Sequence, residues 1–158
     1  MKKFFLATMT LILGITINAN AQEMGEWTWE QHHLSFKMPT NAEVVENTQT
    51  DFQAQTESLT LIIGLAEATK DDDLLLLTTN LASKTIVEDN ERPVMTVLYN
   101  GLEGCIVKGK NPKNNNYEVA SAVLQSQKTY FTIIVSIVYE KVDAGLANEI
   151  LESIKLTD

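Results

Sequence analysis

Cysteine is almost absent from this chain of 158 residues, in which Cys105 is the only one. A single cysteine cannot form an internal disulfide, so the core has to be held together by packing alone. Cys105 lies in the apolar stretch GCIVK, whose pattern predicts a strand, and neither histidine is close to it in the sequence. We therefore interpret it as a small buried side chain and not as a reactive thiol.

The short motifs of common catalytic sites are also lacking. No serine lies in a G-x-S-x-G turn, and no glycine loop of the phosphate-cradling type is present. The carboxylates are numerous but scattered, so their spacing does not indicate the paired acids of a glycosidase. The sequence predicts no catalytic residue and no cofactor. It leaves open an enzyme of a class without a recognisable motif.

Histidine is scarce as well, with His32 and His33 as the only two. They fall in a stretch that alternates like a strand, and adjacent strand residues point to opposite faces, so both cannot readily bind one metal ion from there. No cysteine or spaced carboxylate pair completes a zinc site. We interpret both as polar residues at the edge of a strand, and we predict no metal site.

Three consecutive aspartates, Asp71, Asp72 and Asp73, precede an apolar stretch. They lack the alternating ligands, the glycine and the distal glutamate of a calcium-binding loop. Carboxylates at the start of a helix are stabilised by its free N–H groups and its dipole. The pattern therefore predicts a helix that these residues open and that runs to about Val87.

The one long hydrophobic run is at the N-terminus. Lys2 and Lys3 precede the apolar residues 4–17, and the sequence Ala-Asn-Ala at 19–21 ends the segment in A-x-A form. This pattern is typical of a secretory signal peptide, residues 1–21, with cleavage before Gln22. No later stretch approaches the length of a membrane span. The sequence thus predicts an exported protein, periplasmic or secreted, without stable membrane insertion.

Basic residues are in the minority, since 12 Lys and Arg face 21 Asp and Glu, for a net charge of −9. Without the predicted signal peptide the chain has 137 residues and a net charge of −11. Such a charge disfavours nucleic acid and anionic lipid headgroups and favours solubility. The length predicts a single domain, residues 22–158, with a polar N-terminal arm at about 22–31.

A strand followed by a helix organises the C-terminal part of the chain. Residues 129–139 alternate, with large side chains from Phe131 to Tyr139 on one face and a mixed second face, which predicts a central strand. Asp143 can then cap a helix, because its carboxylate can accept from the free N–H groups of the first turn. Leu146, Ile150, Leu151 and Ile154 form the apolar stripe of that helix, which we expect to dock on the sheet.

Upstream of this unit, alternation and turn residues predict further strands. They fall at residues 32–38, 50–56, 59–65, 94–99, 105–108 and 117–125, with a helix between the third and the fourth. An Asn-Gly pair at 100–101 predicts a tight hairpin turn, and residues 109–116 predict a long exposed loop. Strand runs separated by helices indicate an α+β fold with an antiparallel sheet.

The order of these elements resembles that of a known fold. The stretches LSFKMP, DFQAQ, LTLIIGL and ILESIKL, together with the helix and the meander between them, resemble the PsbP-like fold over nearly all of residues 32–156. That group includes an extrinsic photosystem II protein, a nuclear-transport factor that binds the Ran GTPase, and many small exported bacterial proteins. The resemblance implies an α-β-α sandwich and a role in binding or assembly.

Two features could contact a partner. Trp27 and Trp29 stand in the polar N-terminal arm, where they form either a flap packed on the sheet or an exposed recognition element. Asn114 and Asn115 lie in the long loop, which is either a plain turn or a contact loop. From these observations we expect an exported, non-catalytic binding or accessory protein of the bacterial cell envelope, with a protein partner there. The alternative is a hydrolase acting on glycans or peptides.

Overall fold

The computed structural model describes residues 22–67, 73–85, 94–111, 113–126 and 131–157. Two α-helices occur in this part of the chain, α1 (Leu74–Thr85) and α2 (Ala144–Ser153). Its strands are β1 (Met24–Trp29), β2 (Leu34–Pro39), β3 (Glu43–Asn47), β4 (Asp51–Gln55), β5 (Leu59–Glu67), β6 (Met95–Tyr99), β7 (Leu102–Lys110), β8 (Tyr117–Gln125), β9 (Phe131–Glu140) and β10 (Lys155–Leu156). The predicted signal peptide, residues 1–21, lies outside the described residues.

Seven strands form the larger sheet in the order β3-β4-β5-β9-β8-β7-β6, with every neighbouring pair antiparallel. β9 is the fourth of the seven strands, so the prediction of a central strand is confirmed. It pairs along its length with β5 on one side and β8 on the other. The described strand begins at Phe131, because Thr129 and Tyr130 lie outside the described residues.

On the inner face of this sheet, Ile133, Val135 and Ile137 of the central strand β9 are fully buried. The register places side chains of β4, β5, β7 and β8 on the same face, and they join one hydrophobic core. Phe36 from β2 and Ile150 from α2 complete this core from the opposite side. The alternation of large residues in β9 thus meets the dry surface that it requires.

The N-terminal segment differs from the prediction. Residues 22–31 are not an arm, because Met24–Trp29 form strand β1 of a second, three-stranded sheet in the order β1-β2-β10. β1 pairs with β2 over six residues, and β2 also pairs with the short C-terminal strand β10. The prediction of one sheet therefore missed a second one. Strand β10 is far from β1 and β2 in the sequence, which hides its pairing with β2 from local patterns.

The two histidines also differ from the prediction, because they lie in the turn between β1 and β2 and not in a strand. His32 ends a 3-10 turn that begins at Glu30, and His33 follows it with φ 50°, in the left-handed region. Histidine is one of the residues, besides glycine, that adopt this conformation more often than most, which makes a tight connection feasible. The period-two pattern begins only at Leu34.

Helix α1 lies on the outer face of the larger sheet, the face that carries Ile134, Ser136 and Val138 of β9. The Asp73 carboxylate caps it, since Asp73 Oδ1 accepts the backbone N–H of Leu76 at 3.1 Å. This confirms the capping interpretation for Asp73, whereas Asp71 and Asp72 lie outside the described residues. The described helix ends at Thr85, and the predicted end at Val87 lies beyond it.

Helix α2 packs on the inner side, between β2 and β9, through Ile150 and Leu151, and Ile154 follows directly after it in the same core. The predicted cap is wrong: Asp143 occupies the N-cap position, but its side chain makes no capping hydrogen bond. A single 3-10 turn, Lys141–Asp143, precedes the helix instead. That turn continues directly into α2, so Asp143, with φ −96° and ψ 13°, does not adopt the extended backbone from which an N-cap side chain normally reaches the first turn.

The C-terminal end of α2 is held by a hairpin turn from elsewhere in the chain. Asn100 and Gly101 form the two-residue turn between β6 and β7, both with positive φ, as the Asn-Gly pair predicts. Asn100 Nδ2 donates to the carbonyl oxygens of Glu152 at 2.8 Å and Ile154 at 2.9 Å. These carbonyls are among those that a helix end leaves without an intrahelical partner.

Candidate functional site

The outer face of the larger sheet is covered over only part of its width. Over β7 and β8, helix α1 buries Cys105, Val107, Val119 and Val123. The buried Thr78 hydroxyl donates to the Leu74 carbonyl oxygen of α1 at 2.7 Å, and its oxygen also lies 3.4 Å from the Cys105 carbonyl oxygen. Burial raises the pKa of the Cys105 thiol, and the Asp73 carboxylate raises it further. The prediction of a small buried side chain at Cys105 is therefore confirmed.

Beside α1, the outer face of β5 and β9 is open and forms the floor of a groove of about 560 Å³. Ile62 of β5 is 39% exposed. Ile134, Ser136 and Val138 of β9 are half-buried. The groove runs along β9 because these three residues are alternate positions of that strand. Its volume is within the range of roughly 300–1,000 Å³ that small-molecule sites in proteins occupy.

Three other elements form the walls and ends of the groove. Leu81 and Lys84 belong to α1, which stands along one side. Asn111 and Lys113 belong to the loop between β7 and β8. This loop lies at the Val138 end of the floor, because Val119, early in β8, pairs with Val138.

The opposite end of the floor is formed by Asp51 of β4 and Gly64 of β5. These two residues pair with each other, and Gly64 pairs with Ile134 on its other side. The Asp51 carboxylate accepts a hydrogen bond from the Thr50 hydroxyl at 2.6 Å. A Cβ atom at Gly64 would lie 3.6 Å from Asp51 Oδ1, an ordinary contact distance, so a side chain there would enter the groove without a backbone clash.

The charges of the groove differ from those of the chain as a whole. Two lysines and one aspartate line it, in a protein with a net charge of −9. Within the described residues, Lys84 and Lys113 take part in no ion pair, whereas Lys37 and Lys155 are each paired with a glutamate. The described lining therefore combines an apolar floor with two lysines, Lys113 in the loop at the Val138 end and Lys84 on the α1 wall.

This arrangement suits binding better than acid–base chemistry. In the part of the chain that the structure describes, the groove lining contains one carboxylate, Asp51, whereas a typical glycosidase uses two cooperating carboxyl groups. Among the described residues, no group of three or more His, Cys, Asp and Glu side chains is placed to hold a metal ion. In the same part of the chain, no helix is long and apolar enough to cross a membrane.

A second cleft, of about 340 Å³, lies between the small sheet and the end of α2. Both lysines of its lining already pair with glutamates: Lys155 with Glu26 at 2.7 Å, and Lys37 with Glu149 at 3.3 Å. Hydrogen bonds from Lys155 and Ser35 lower the pKa of the Glu26 carboxyl. Glu152 adds a further negative charge, so the cleft offers less to an anionic ligand than the groove does.

The structure places the two tryptophans on the inner face of β1. Trp29 is buried and Trp27 is half-buried, and both pack against the hydrophobic core. The ring of Trp29 meets that of His32 edge to face, with centroids 4.6 Å apart. These residues lie on the inner side of the larger sheet, away from the groove on its outer face. A contact role for them stays a prediction.

Asn114 and Asn115 are exposed in the loop between β7 and β8. That loop reaches the groove through its neighbouring residues Asn111 and Lys113. The Asn111 side chain accepts the backbone N–H of Lys113 at 2.8 Å, and Asn114 likewise accepts that of Asn116 at 3.0 Å. These short-range bonds stiffen the loop beside the groove. A contact role for Asn114 and Asn115 stays a prediction too.

Sequence reasoning did not identify the residues that line the groove. They come from four strands, one helix and one loop, and none of them belongs to a motif. One signal was present, because the second face of β9 is mixed where a fully buried strand would be apolar. That signal indicates partial cover, but it does not reveal which neighbours form the walls.

Comparisons with known proteins support the fold. The structure is similar to that of cyanobacterial PsbP (CyanoP) from Synechocystis sp. PCC 6803, with a TM-score of 0.63 and 12% identity over 91% of this chain and 98% of that chain. The chain has the PsbP-like fold. It is also similar to the Ran-binding protein Mog1p of Saccharomyces cerevisiae, with a TM-score of 0.54 and 12% identity over 87% of this chain and 97% of that one.

A third similar structure is LpqN of Mycobacterium tuberculosis, a protein involved in cell envelope biogenesis. Its TM-score is 0.54, with 14% identity over 86% of this chain and 91% of that chain. No protein-family model matches the chain, and no curated protein matches its sequence. At such low identity these likenesses show the PsbP-like fold alone, since one fold carries many functions.

Proposed function

We propose that this chain is an exported, non-catalytic binding or accessory protein of the bacterial cell envelope, and that the groove beside α1 is its binding site. The observation that carries the proposal is the open half of the outer face. Soluble domains normally cover apolar sheet surface, and a patch left open with polar groups at its rim is typical of an interaction site. Here the open floor, with Ile62 39% exposed, continues directly from the part that α1 covers.

Two proteins of the same fold support the direction of this proposal. Mog1p is a Ran-binding protein, and LpqN is involved in cell envelope biogenesis. The signal-peptide pattern of residues 1–21 supports the proposal that the protein is exported. With α1 on one side of the larger sheet and α2 with the small sheet on the other, we also propose that the domain, residues 22–158, is an α-β-α sandwich with one mixed layer.

Export has a direct test. Expression of the full chain in a bacterial host should give a protein in the periplasm or medium whose first residue is Gln22, by fractionation and intact mass. A chain that keeps Met1 and stays with the cytoplasmic fraction would contradict the proposal. A lipid-modified product is not expected, because the one cysteine, Cys105, does not follow the cleavage site.

The binding role is tested with two matched glycine variants. Gly64→Leu places a side chain in the groove, whereas Gly145→Leu adds the same side chain to α2, where a Cβ atom has no neighbour within 4 Å. We expect a tagged parent and Gly145→Leu to recover the same envelope component from an extract, and Gly64→Leu to lose it. Recovery that is equal for all three would mean that the groove is not the binding site. Repeated recovery of no component by the parent would count against the binding role itself.

A further inference from the structure

We propose that the groove binds a single-chain anionic amphiphile, for which a fatty carboxylate is the simplest example. The apolar chain would lie along the β9 floor, and the anionic head would lie at the end formed by Lys84 and Lys113. The proposal deepens the binding role given above and rests on it, because it names the class of ligand for the same groove.

The shape of the floor fits an extended apolar chain. Ile134, Ser136 and Val138 follow one another on one face of β9, so the floor from the first to the last spans roughly 13 Å at about 3.3 Å per residue. Ile62 beside them on β5 and Leu81 on α1 widen the apolar surface to both sides. A long, narrow, apolar floor matches a single acyl chain better than it matches a broad protein surface.

The floor also has little hydrogen-bonding capacity to offer. Its polar side chain, Ser136, already shares a hydrogen bond with Ser121, with the two hydroxyl oxygens 3.3 Å apart. The backbone groups of β9 are occupied in the ladders with β5 and β8 on both sides. A ligand over this floor therefore has to gain its affinity from apolar contact, and specificity has to come from the two ends.

The lysine end favours a negative head. Lys113 belongs to the loop at the Val138 end of the floor, and Lys84 belongs to the α1 wall. Neither has an ion-pair partner among the described residues. An anion placed between them would gain two charge-assisted contacts, which are stronger than neutral hydrogen bonds.

The other end fixes the orientation of the ligand. The Asp51 carboxylate stands there, at the Gly64 and Ile134 end, and would repel an anionic head. Like charges placed close together are disfavoured, so the head is directed to the lysine end and the tail toward Asp51. The net charge of −9 acts over longer range, but salt screens it beyond about 8–10 Å, whereas contact with the lysines is screened less.

The test is a calorimetric titration of the exported protein with three ligands that share one chain: decanoate, decanol and decyltrimethylammonium, each kept monomeric. We expect saturable one-to-one binding of decanoate, about tenfold or more weaker binding of decanol, and the weakest binding of the cation. Vesicles of an anionic phospholipid form a separate arm, and we expect no binding to them, because the floor holds a single chain.

Variants locate the site. Lys84→Gln/Lys113→Gln should weaken decanoate about tenfold and leave decanol unchanged, since each exposed ion pair is worth little by itself. Gly64→Leu should abolish the binding of both ligands. The controls are Lys110→Gln/Lys141→Gln, which changes two lysines outside the groove lining, and Gly145→Leu, and both should bind like the parent. Urea melts establish that each variant is folded.

Several outcomes would overturn the inference. If binding of decanoate to the parent did not saturate, or if Gly64→Leu bound decanoate as tightly as the parent, the groove would not be the binding site. If decanoate and decanol bound with equal affinity, and if Lys84→Gln/Lys113→Gln left both affinities unchanged, the groove would not recognise an anionic head group. An envelope protein whose recovery depends on the groove, together with no binding of decanoate, would overturn this inference and leave the binding role intact. Binding of decanoate without any envelope partner would support it and make the ligand the small molecule itself.

Discussion

Strands β8 and β9 lie side by side and carry nearly the same residues on their outer face, yet one is closed and the other is open. In β8 these residues are Val119, Ser121 and Val123, and in β9 they are Ile134, Ser136 and Val138. The ladder pairs them one to one. All three of β8 are buried, whereas all three of β9 are half-buried.

The difference lies in what packs above them. Helix α1 packs over β7 and β8 but does not extend over β9. The same side-chain types are therefore buried in the core on β8 and form the groove floor on β9. Hydrophobic burial therefore depends on a neighbour that the strand itself does not encode. The open half has the apolar side chains of a core but no element packed over them, and the proposed binding site rests on this property.

The largest expected effect is a difference in the free energy of unfolding between substitutions at two strand glycines, Gly104 and Gly64. At Gly104 of β7 a Cβ atom would lie 2.2 Å from the Val123 carbonyl oxygen, and a backbone atom has little room to move away. Gly104→Ala should therefore lower the free energy of unfolding by about 4 kcal/mol or more, or prevent folding. Gly64→Ala in the open half should be neutral or stabilise by up to about 1 kcal/mol, since its Cβ meets only an ordinary contact.

Urea denaturation of both variants beside the parent decides the matter. If Gly104→Ala unfolded within about 0.5 kcal/mol of the parent, a range usual for unconstrained surface positions, the closed part of the sheet would be more adaptable than its geometry indicates.

The next prediction compares two isoleucines. Ile150 of α2 is fully buried in the inner core, whereas Ile62 on the groove floor is 39% exposed. Ile150→Ala should cost about 2–5 kcal/mol, because the side chain leaves a cavity. Ile62→Ala should cost about 1 kcal/mol or less, because water already reaches that position. Urea melts measure both, and a cost below about 1 kcal/mol for Ile150→Ala, well under the cavity range, would mean that α2 is peripheral to the core.

Much of the fold could be predicted from the sequence because local residue patterns determine many of its helices, strands and turns. The period-two alternation of β9 and the stripe of Ile150 and Leu151 in α2 each need one face dry, and the structure supplies that face. The Asn-Gly turn at residues 100–101 follows from backbone sterics alone. These elements are set by residues close together in the chain.

What could not be predicted depends on distant partners. β1 looks like a polar arm because Glu26 and Thr28 face outward, whereas its inner face is covered by the hydrophobic core, most of which comes from distant parts of the chain. Asp143 looks like a cap, but the chain enters α2 through a 3-10 turn and the carboxylate bonds nothing there. The groove combines residues from β4 to β9 with α1, and no single stretch of sequence shows that combination.

A smaller effect should separate two valines, Val123 of β8 and Val138 of β9, that belong to the two outer-face triads. Val123 is 2% exposed under α1, and Val138 is half-buried in the groove. Val123→Ala should lower the free energy of unfolding by roughly 1.5–2.5 kcal/mol, for the lost methyl groups and the space that they leave. Val138→Ala should lower it by less than about 1 kcal/mol. Equal costs in urea melts would mean that the open half is covered in solution, which would contradict the groove.

The smallest effect concerns the helix that makes the difference between the two halves. Asp73 Oδ1 accepts the N–H of Leu76 at the start of α1, whereas Asp143 makes no such bond at α2. Asp73→Ala should cost about 0.5–2 kcal/mol of global stability, and Asp143→Ala should stay within about 0.5 kcal/mol, as at other surface positions. These two variants are matched, since each removes one carboxylate before a helix.

Alkylation of Cys105 gives the same pair of variants a local readout. The thiol is buried beneath α1, so a reagent reaches it when the helix opens. Loss of the cap loosens the first turn of α1, and loss of the Asp73 carboxylate also removes one cause of the raised pKa of the thiol. Both changes should speed alkylation, together several-fold, in Asp73→Ala at a urea concentration far below the global transition. Asp143→Ala should react like the parent, because α2 lies on the other side of the sheet. If Asp73→Ala and Asp143→Ala were alkylated at the same rate, the opening of α1 would not depend on its cap. Side-chain packing alone would then hold α1 on the closed half of the sheet.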